Sequence, residues 1–187
     1  MNIGADEESA IKQCQTGNPE KFGVLYDKYI KKIYDFVYYK THHRETAEDL
    51  TSRTFMKALE SIGGFDLGKG TFQAWIYRIA RNTVIDHYRT SRTHANIEDV
   101  WDLSGNDDLE RDIDAKTKLE KVRKYLAKLK PIERDIVIMR VWQGMNHKEI
   151  AAVIGKTEAG VKMAFSRTIT RLREEMPFAI FVSFLLQ

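Results

Sequence analysis

The chain has 187 residues, a net charge of +3 and 43% hydrophobic residues, which suffices for one or two packed domains and excludes global disorder. The charge is too small to indicate a polyanion partner by itself, and the single Cys14 excludes an internal disulfide and a cysteine metal cluster. Only three prolines are present, and long stretches rich in Lys, Glu, Ala, Leu and Ile favour an all-α fold. Residues 1–8 are polar and acidic, so we expect no secretory signal in them.

Three helices are predicted before the first glycine-rich stretch. Residues 6–15 predict a short helix that stops at Gly17, and Asn18 followed by Pro19 predicts a side-chain cap and a start for the second helix. The second helix is expected to bury a wide apolar face made of Phe22, Leu25, Tyr26, Tyr29, Ile30, Ile33, Tyr34 and Val37. The third, over residues 45–62, is expected to bury Ala47, Leu50, Phe55, Ala58 and Leu59. The adjacent pair His42 and His43 lacks the spacing of a metal site, and we expect no metal there.

Residues 63–70 hold four glycines and predict a mobile loop. It is not a phosphate-binding P-loop, because its Gly-Lys pair is not followed by Ser or Thr at the required spacing. Phe65 in this loop belongs to no periodic pattern, so it either packs back locally or is displayed for a ligand. Thr71 then predicts the cap of a fourth helix, whose core positions are Phe72, Ile76, Ile79, Thr83 and Val84.

The fourth helix carries more aromatic and basic groups than its core needs. Basic groups interleaved with aromatic rings suit single-stranded nucleic acid, because rings stack on bases and cations follow the phosphates. The alternative is a solvated basic face, and the pattern alone does not decide between the two. The groups concerned are Trp75, Tyr77, Arg78, Arg81, Asn82, Arg89 and Arg92.

Helical periodicity then stops, and residues 94–114 hold eight acidic residues and one Arg. This composition predicts a flexible acidic linker between two small helical domains. We expect an N-terminal domain over residues 1–93, the linker over 94–112 and a C-terminal domain over 113–176.

In the C-terminal domain the sequence pattern predicts a helix up to Leu129, another that starts at Pro131 and stops at Gly144, and then a helix-turn-helix. In this motif Asn146 and Glu149 predict a capping box, Gly155 predicts a left-handed turn, and Thr157 caps the second helix. Ile150, Val153, Ile154, Val161, Phe165, Ile169 and Leu172 are the expected core positions. The opposite face is basic and can form hydrogen bonds, as in a DNA-reading helix, although an ordinary helical hairpin is the simpler alternative.

Residues 177–187 form an apolar tail. Its apolar run from Phe178 to Leu186 is too short to cross a membrane, which takes about 20 residues. A run of this kind is not expected to lie in water by preference, so we expect it to pack on the protein or on a partner. A membrane anchor is the less favoured alternative.

Three stretches together resemble bacterial RNA polymerase sigma factors of the extracytoplasmic-function (ECF) group. The strand-opening helix of that family resembles TFQAWIYRIARNTVIDHYR. Its promoter-reading domain resembles LKPIERDIVIMRVWQGMNHKEIAAVIGKTEAGVKMAFSR, and its polymerase-binding helix and specificity loop resemble AEDLTSRTFMKALESIGGF. The resemblance implies a transcription initiation subunit that binds core RNA polymerase and promoter DNA, with an anti-sigma protein as a further candidate partner. It implies a cytoplasmic protein with no cofactor, no small-molecule substrate and no chemistry of its own.

The resemblance also assigns expected roles to individual side chains. Asp49, Leu50 and Arg53 match the polymerase-binding helix. Lys57, Phe65, Trp75, Arg78 and Asn82 match the surface that binds the minus-ten element and captures a flipped base. Lys162, Met163, Ser166, Arg167 and Arg171 match the helix that reads the minus-thirty-five element.

Two departures from the family pattern limit what can be carried over. The polymerase-binding helix usually has Gln-Glu where this chain has Ser52 and Arg53, which inverts a charge. The recognition helix often reads Lys-Ser-Arg where this chain reads Lys162, Met163 and Ala164, which predicts one fewer phosphate contact. The rival interpretation is a free-standing helix-turn-helix regulator, which would leave the aromatic and basic helix unused. An enzyme is the third interpretation, and no nucleophile, metal cluster or phosphate loop supports it.

Overall fold

The computed structural model describes residues 3–91, 122 and 124–185. Every regular element among these residues is a helix, so the predicted all-α fold is confirmed. The chain divides into two compact units, residues 1–103 and residues 104–187. The predicted linker, residues 94–112, lies outside the described residues.

The first unit is built from four helices: α1 (Ile3–Gln15), α2 (Phe22–Thr41), α3 (Arg44–Ser61) and α4 (Phe72–Ser91). The start predicted at Asn18 is wrong in detail, because the Asn18 side chain makes no capping hydrogen bond. Pro19 opens a short 3-10 turn instead, and α2 begins only at Phe22. Gly17 has φ +99° and ends the preceding helix as expected.

Helices α2, α3 and α4 pack against one another, and α1 packs against α2. Three predicted positions are wrong. Tyr26, expected on the buried face of α2, is 42% exposed. Tyr77 is not displayed but completely buried, where its hydroxyl donates to the carbonyl oxygen of Lys32 at 3.4 Å. Leu59, expected in the core, is 41% exposed because it lies on the outer side of α3. The largest fully buried side chains of this unit are Tyr77, Phe36, Phe72, Ile11, Leu25, Ile33, Leu50 and Ile76.

The two adjacent histidines form the corner between α2 and α3. His42 ends α2 in the left-handed conformation, with φ +53°, and its N–H donates to the carbonyl oxygen of Tyr38 at 2.8 Å. His43 begins α3, because its Nδ1 accepts a hydrogen bond from the N–H of Thr46 at 3.3 Å. Each residue therefore has a structural role at a helix end. Within residues 3–91 and 124–185, no cluster of His, Cys, Asp and Glu side chains has the arrangement of a metal site.

The second unit contains α5 (Pro131–Val141), α6 (His147–Ile154), α7 (Glu158–Glu175) and α8 (Phe178–Leu185). Residues 124–127, just before α5, are also helical. One cluster of its core is made of Val122, Leu126, Leu129, Val137, Leu172, Met176, Phe181 and Phe184. Helix α6 also contributes to the core, through the buried residues Ile150, Ala151 and Val153.

Arg134 is a buried cation that the sequence pattern did not reveal. Only 3% of the residue is exposed, and its guanidinium donates to the carbonyl oxygens of Leu126, Ala127 and Leu129 at 2.7, 2.8 and 3.1 Å. These carbonyls end the helical segment, so the guanidinium completes hydrogen bonds that a helix terminus leaves open. Burial lowers the pKa of Arg134 to about 10, which keeps it charged at neutral pH. Ile132, an apolar residue on the same helix, is 40% exposed.

The apolar tail is part of the second unit rather than a separate segment. Phe181 and Phe184 of α8 lie in the core, and Trp142 Nε1 donates to the carbonyl oxygen of Phe184 at 3.3 Å. The expectation that the tail packs on the protein is therefore confirmed. The same helix leaves Phe178 82% exposed and Leu185 48% exposed.

Candidate nucleic-acid interface

The helix-turn-helix forms through local hydrogen bonds that the sequence predicts. Asn146 Oδ1 accepts from the N–H of Glu149, and Glu149 Oε2 accepts from the N–H of Asn146, each at 2.9 Å. Gly155 turns the chain with φ +68°, and Thr157 Oγ1 accepts from the N–H of Gly160 at 3.1 Å. The capping box, the left-handed turn and the second cap are all confirmed. Together they fix where α7 begins and which of its faces points outward.

Helix α7 presents a polar face over two successive turns. Lys162, Met163, Ser166 and Arg167 are exposed, and Met163 has 59% of its surface accessible. The opposite side is anchored in the core by Val161, Thr168 and Leu172. Spacings of three and four residues place the exposed side chains on one side of the helix, as recognition of a DNA groove requires.

Arg171 has a different environment from the other four predicted DNA-reading residues. Its guanidinium pairs with Glu133 of α5 at 2.9 Å, and its side chain is 43% exposed. This contact ties the recognition helix to α5, so we assign Arg171 to the support of the helix rather than to its exposed face. Ala164 is half-buried and lines an apolar groove of about 570 Å³ together with Ile132 and Ile136. The family often has a cation where this chain has Ala164, and here that position lines the apolar groove. Its location therefore gives no support to the predicted loss of a phosphate contact.

A ring contact that the sequence did not indicate joins the two helices of the motif. The rings of His147, at the start of α6, and Phe165 of α7 lie 5.7 Å apart at 58°. Such a contact helps fix the position of α7 relative to α6.

Two of the three positions predicted to bind polymerase lie on the outer face of α3. Asp49 and Arg53 are exposed one turn apart and form an ion pair at 3.0 Å. Leu50 has no exposed surface, so its predicted contact with a partner is wrong: a side chain in the core of the unit cannot reach another protein. Leu50 supports the helix from inside instead.

A groove of about 630 Å³ runs between α3 and α4 beside the same face. Lys57 reaches across it, where its Nζ donates to Thr83 Oγ1 at 3.4 Å. His87 lines the groove next to Arg53, and its pKa is lowered by burial and by that nearby guanidinium. The groove has mixed charge, because Glu60 and Asp86 line it together with the two cations.

The aromatic part of the site is a cluster of three rings. Phe65 lies 5.0 Å from Trp75 and 5.8 Å from Phe72, and Phe72 lies 5.4 Å from Trp75, measured between ring centroids. Phe65 is only 9% exposed, so of the two alternatives for this side chain the structure supports local packing. Trp75 is half-buried and leaves part of its ring at the surface.

Two polar side chains continue this surface along α4. Arg78 and Asn82 are both exposed and lie one turn apart, and Trp75 precedes Arg78 by three residues. A ring, a cation and an amide therefore line one side of the helix. An amide both donates and accepts hydrogen bonds, and a guanidinium attracts phosphate, so this row suits an unstacked nucleotide.

The loop between α3 and α4 is held in place at its first residues. The Gln15 side chain, at the end of α1, donates to the carbonyl oxygens of Ile62 and Phe65. Farther along, Asp66 Oδ1 accepts from the N–H of Gly68 at 2.8 Å. This hydrogen bond and the neighbouring Lys69 lower the pKa of the Asp66 carboxyl.

Among the described helices, none combines the length and the apolar character needed to cross a membrane.

Comparison with known proteins agrees with this arrangement. Residues 25–93 match the model of sigma-70 region 2, and residues 119–172 match that of sigma-70 region 4. The chain is 34% identical to the ECF RNA polymerase sigma factor BldN of Streptomyces coelicolor over 92% of this chain and 69% of that one. It is 31% identical to the RNA polymerase sigma factor YlaC of Bacillus subtilis, over 81% of this chain and 90% of that one.

Solved structures show the same fold. CnrH, determined in complex with the cytosolic domain of CnrY, matches with a TM-score of 0.70 and 23% identity over 90% of this chain and 96% of that one. The sigma factor RpoE of Bartonella quintana, determined with the anti-sigma factor NepR, matches with a TM-score of 0.66 and 23% identity over 83% and 96%. With both sigma-70 regions matched and relatives above 30% identity along most of its length, the chain belongs to the ECF RNA polymerase sigma factors.

Proposed function

We propose that this sigma factor acts in the cytoplasm, where it docks on core RNA polymerase through α3, opens promoter DNA with the surface of α4 and reads the minus-thirty-five element with α7. The observation that carries the proposal is the exposed row on α7, because its four side chains follow a capped turn that fixes their direction. The protein needs no cofactor and no small-molecule substrate for this role.

The recognition helix offers distinct chemistry at each exposed position. Lys162 and Arg167 can reach guanine acceptors or phosphate oxygens in the major groove, and Ser166 can bond to either. Met163 is a poor hydrogen-bonding group, so its best partner is apolar, such as a thymine methyl. The pair of Arg171 with Glu133 holds the helix while these groups read the bases.

The surface of α4 suits the single strand that forms when the minus-ten element opens. Extruding a base costs a few kcal/mol, and stacking on an aromatic ring returns about 1–3 kcal/mol per base. Trp75 supplies the ring at the surface, with Phe65 packed against it from inside the unit. Asn82 can read the edge of the extruded base, and Arg78 and Lys57 supply positive charge for the backbone.

The outer face of α3 is the proposed polymerase contact. In the free protein Asp49 and Arg53 form an ion pair with each other. A polymerase surface that binds here would have to place opposite charges against both groups. An exposed pair of this kind contributes little to stability, since such pairs give about 0–1 kcal/mol, which leaves both groups available for a partner. Leu50 fixes the helix beneath them.

An anti-sigma protein is a further proposed partner. The structures of CnrH and of RpoE from Bartonella quintana were determined with the cytosolic domain of CnrY and with NepR, respectively. Their fold is shared by this chain over most of its length, so a regulator of the same general kind has a comparable surface to bind.

Run-off transcription with core polymerase on a random promoter library tests the proposal. We expect transcripts that depend on this protein and share two sequence elements. Arg167→Ala should relax the upstream element and leave the downstream one unchanged, whereas Asn82→Ala should weaken opening on every template. A protein that binds duplex DNA without polymerase and yields no transcript with it would be a free-standing regulator, and the proposal would be wrong.

A further inference from the structure

The end of α1 is bonded to the loop that precedes α4. The amide Nε2 of Gln15 donates to the carbonyl oxygen of Ile62 at 3.0 Å and to that of Phe65 at 2.6 Å. An amide nitrogen carries two protons, so both hydrogen bonds can form at once. Helix α1 precedes the region 2 match, which begins at residue 25, so this contact comes from outside the matched region.

Helix α1 is itself fixed to the rest of the unit. Ala10 is 3% exposed and Ile11 is fully buried beside it. Nearer its start, Glu7 pairs with Lys28 and accepts a hydrogen bond from the Tyr29 hydroxyl at 2.9 Å. These contacts hold α1 in place independently of the loop. The position of the Gln15 amide is therefore set by α1 and not by the loop that it contacts.

The bonded carbonyls lie on either side of Gly63 and Gly64. Residues 62–64 form a 3-10 turn, closed by a hydrogen bond from the Phe65 N–H to the Ile62 carbonyl oxygen at 3.1 Å. The two successive glycines give the backbone little intrinsic preference for this turn. Fixing the carbonyls of Ile62 and Phe65 selects one path and places the Phe65 ring against Trp75. Gln15 is thus connected to the Trp75 ring through the Phe65 carbonyl and the Phe65 ring, while Phe72 contacts Trp75 from within α4.

We infer that Gln15 is a positioning residue for reading the minus-ten element: it sets the loop, and through Phe65 it sets the Trp75 ring on which an extruded base would stack. This inference rests on the proposed role of α4. Gln15 has no direct contact with DNA in this scheme, so its effect must appear in base selectivity rather than in binding to polymerase.

The test uses the full chain with core polymerase, and the measured quantity is a ratio. Transcription rates are compared between the preferred minus-ten sequence and the same template with single-base changes. A loss of folded protein lowers both rates equally and cancels in the ratio. Gln15→Met should reduce the ratio about tenfold, the scale of one to two lost hydrogen bonds.

The chain offers a matched control two residues away. Gln13 lies on the same helix, and its amide donates to Ser9 Oγ at 3.0 Å within α1. Gln13→Met should leave the ratio unchanged. Gln15→Glu keeps the shape but replaces the donor with an acceptor, so it should lower the ratio at least as much as Gln15→Met. Gln15→Arg, which again presents donors to the carbonyls, should restore most of the selectivity.

An unchanged ratio in Gln15→Met and Gln15→Glu, with or without lower total transcription, would overturn the inference. The inference also fails if Gln13→Met lowers the ratio equally, because the effect would then belong to α1 in general. Asn82→Ala separates this outcome from failure of the proposed function. If Asn82→Ala reduces opening while the Gln15 variants keep full selectivity, only the role of Gln15 is wrong. If Asn82→Ala also leaves strand opening unchanged, both the role of Gln15 and the proposed role of α4 are wrong.

Discussion

Removing the ring of Phe184 should unfold or strongly destabilise the second unit. The residue is fully buried, its ring lies 5.7 Å from that of Trp142 at 71°, and its carbonyl oxygen accepts from Trp142 Nε1. Truncating a buried Phe to Ala costs about 3–5 kcal/mol, because apolar surface is lost and a cavity remains. Since a whole domain is stable by about 5–15 kcal/mol, this loss is a large fraction of the total.

Phe178 provides the matched control, because it is the same residue type on the same helix and is 82% exposed. Phe178→Ala should change stability by less than about 0.5 kcal/mol. Native-state hydrogen exchange of the full chain measures both variants, with amides of α5 and α7 as the readout and those of α2 as the internal reference. The reasoning is refuted if Phe184→Ala lowers the exchange free energy of α5 and α7 by less than about 1 kcal/mol. It is equally refuted if the two variants behave alike.

Four further substitutions test other parts of the molecule. Asp49→Arg should weaken core polymerase binding in competition with another sigma factor, because it reverses an exposed charge on α3; an unchanged affinity with a normal circular dichroism spectrum would remove this face from the interface. Asn82→Ala should leave polymerase binding intact and reduce open complexes in permanganate footprinting, and a defect of equal size on pre-melted DNA would argue against a melting role. Arg167→Ala should cost about 1–3 kcal/mol in DNA binding and relax preference at one or two positions if the side chain reads a base; uniform weakening across a promoter library would place it on phosphate instead. Arg134→Met should destabilise the second unit by about 2–4 kcal/mol, because it removes the three hydrogen bonds from the guanidinium to the carbonyls of Leu126, Ala127 and Leu129. Thermal denaturation measures this last effect, and a change below about 0.5 kcal/mol would mean that other donors replace the guanidinium.

The helix-turn-helix is predictable from the sequence because its determinants are local. Asn146 and Glu149 satisfy each other's backbone N–H groups within three residues, and Gly155 alone supplies the left-handed turn. No distant contact is needed to identify these groups. The exposed face of α7 is predictable as well, because the cap fixes the first residue of the helix and therefore which later residues point outward.

Errors arise where packing partners are distant in the sequence. Tyr77 belongs to a helix with aromatic residues on more than one side, and periodicity cannot show that its hydroxyl donates to the carbonyl oxygen of Lys32. Leu50 fits both a core pattern and a family interface pattern, and only its burial decides between them. Arg134 and Arg171 look like surface cations until their partners on other segments are known.

The order in which the two units can complete their cores follows from where their buried residues lie in the chain. Within residues 3–91, the last buried apolar residue of the first unit is Val84, whereas the second unit needs Phe184 of α8. At about 5–20 residues per second, synthesis reaches Phe184 some 5–20 s after Val84. During this interval a nascent chain holds a finished first unit and an unfinished second unit. Limited proteolysis of stalled nascent chains should therefore show protection of the first unit well before the second, and simultaneous protection would contradict this order.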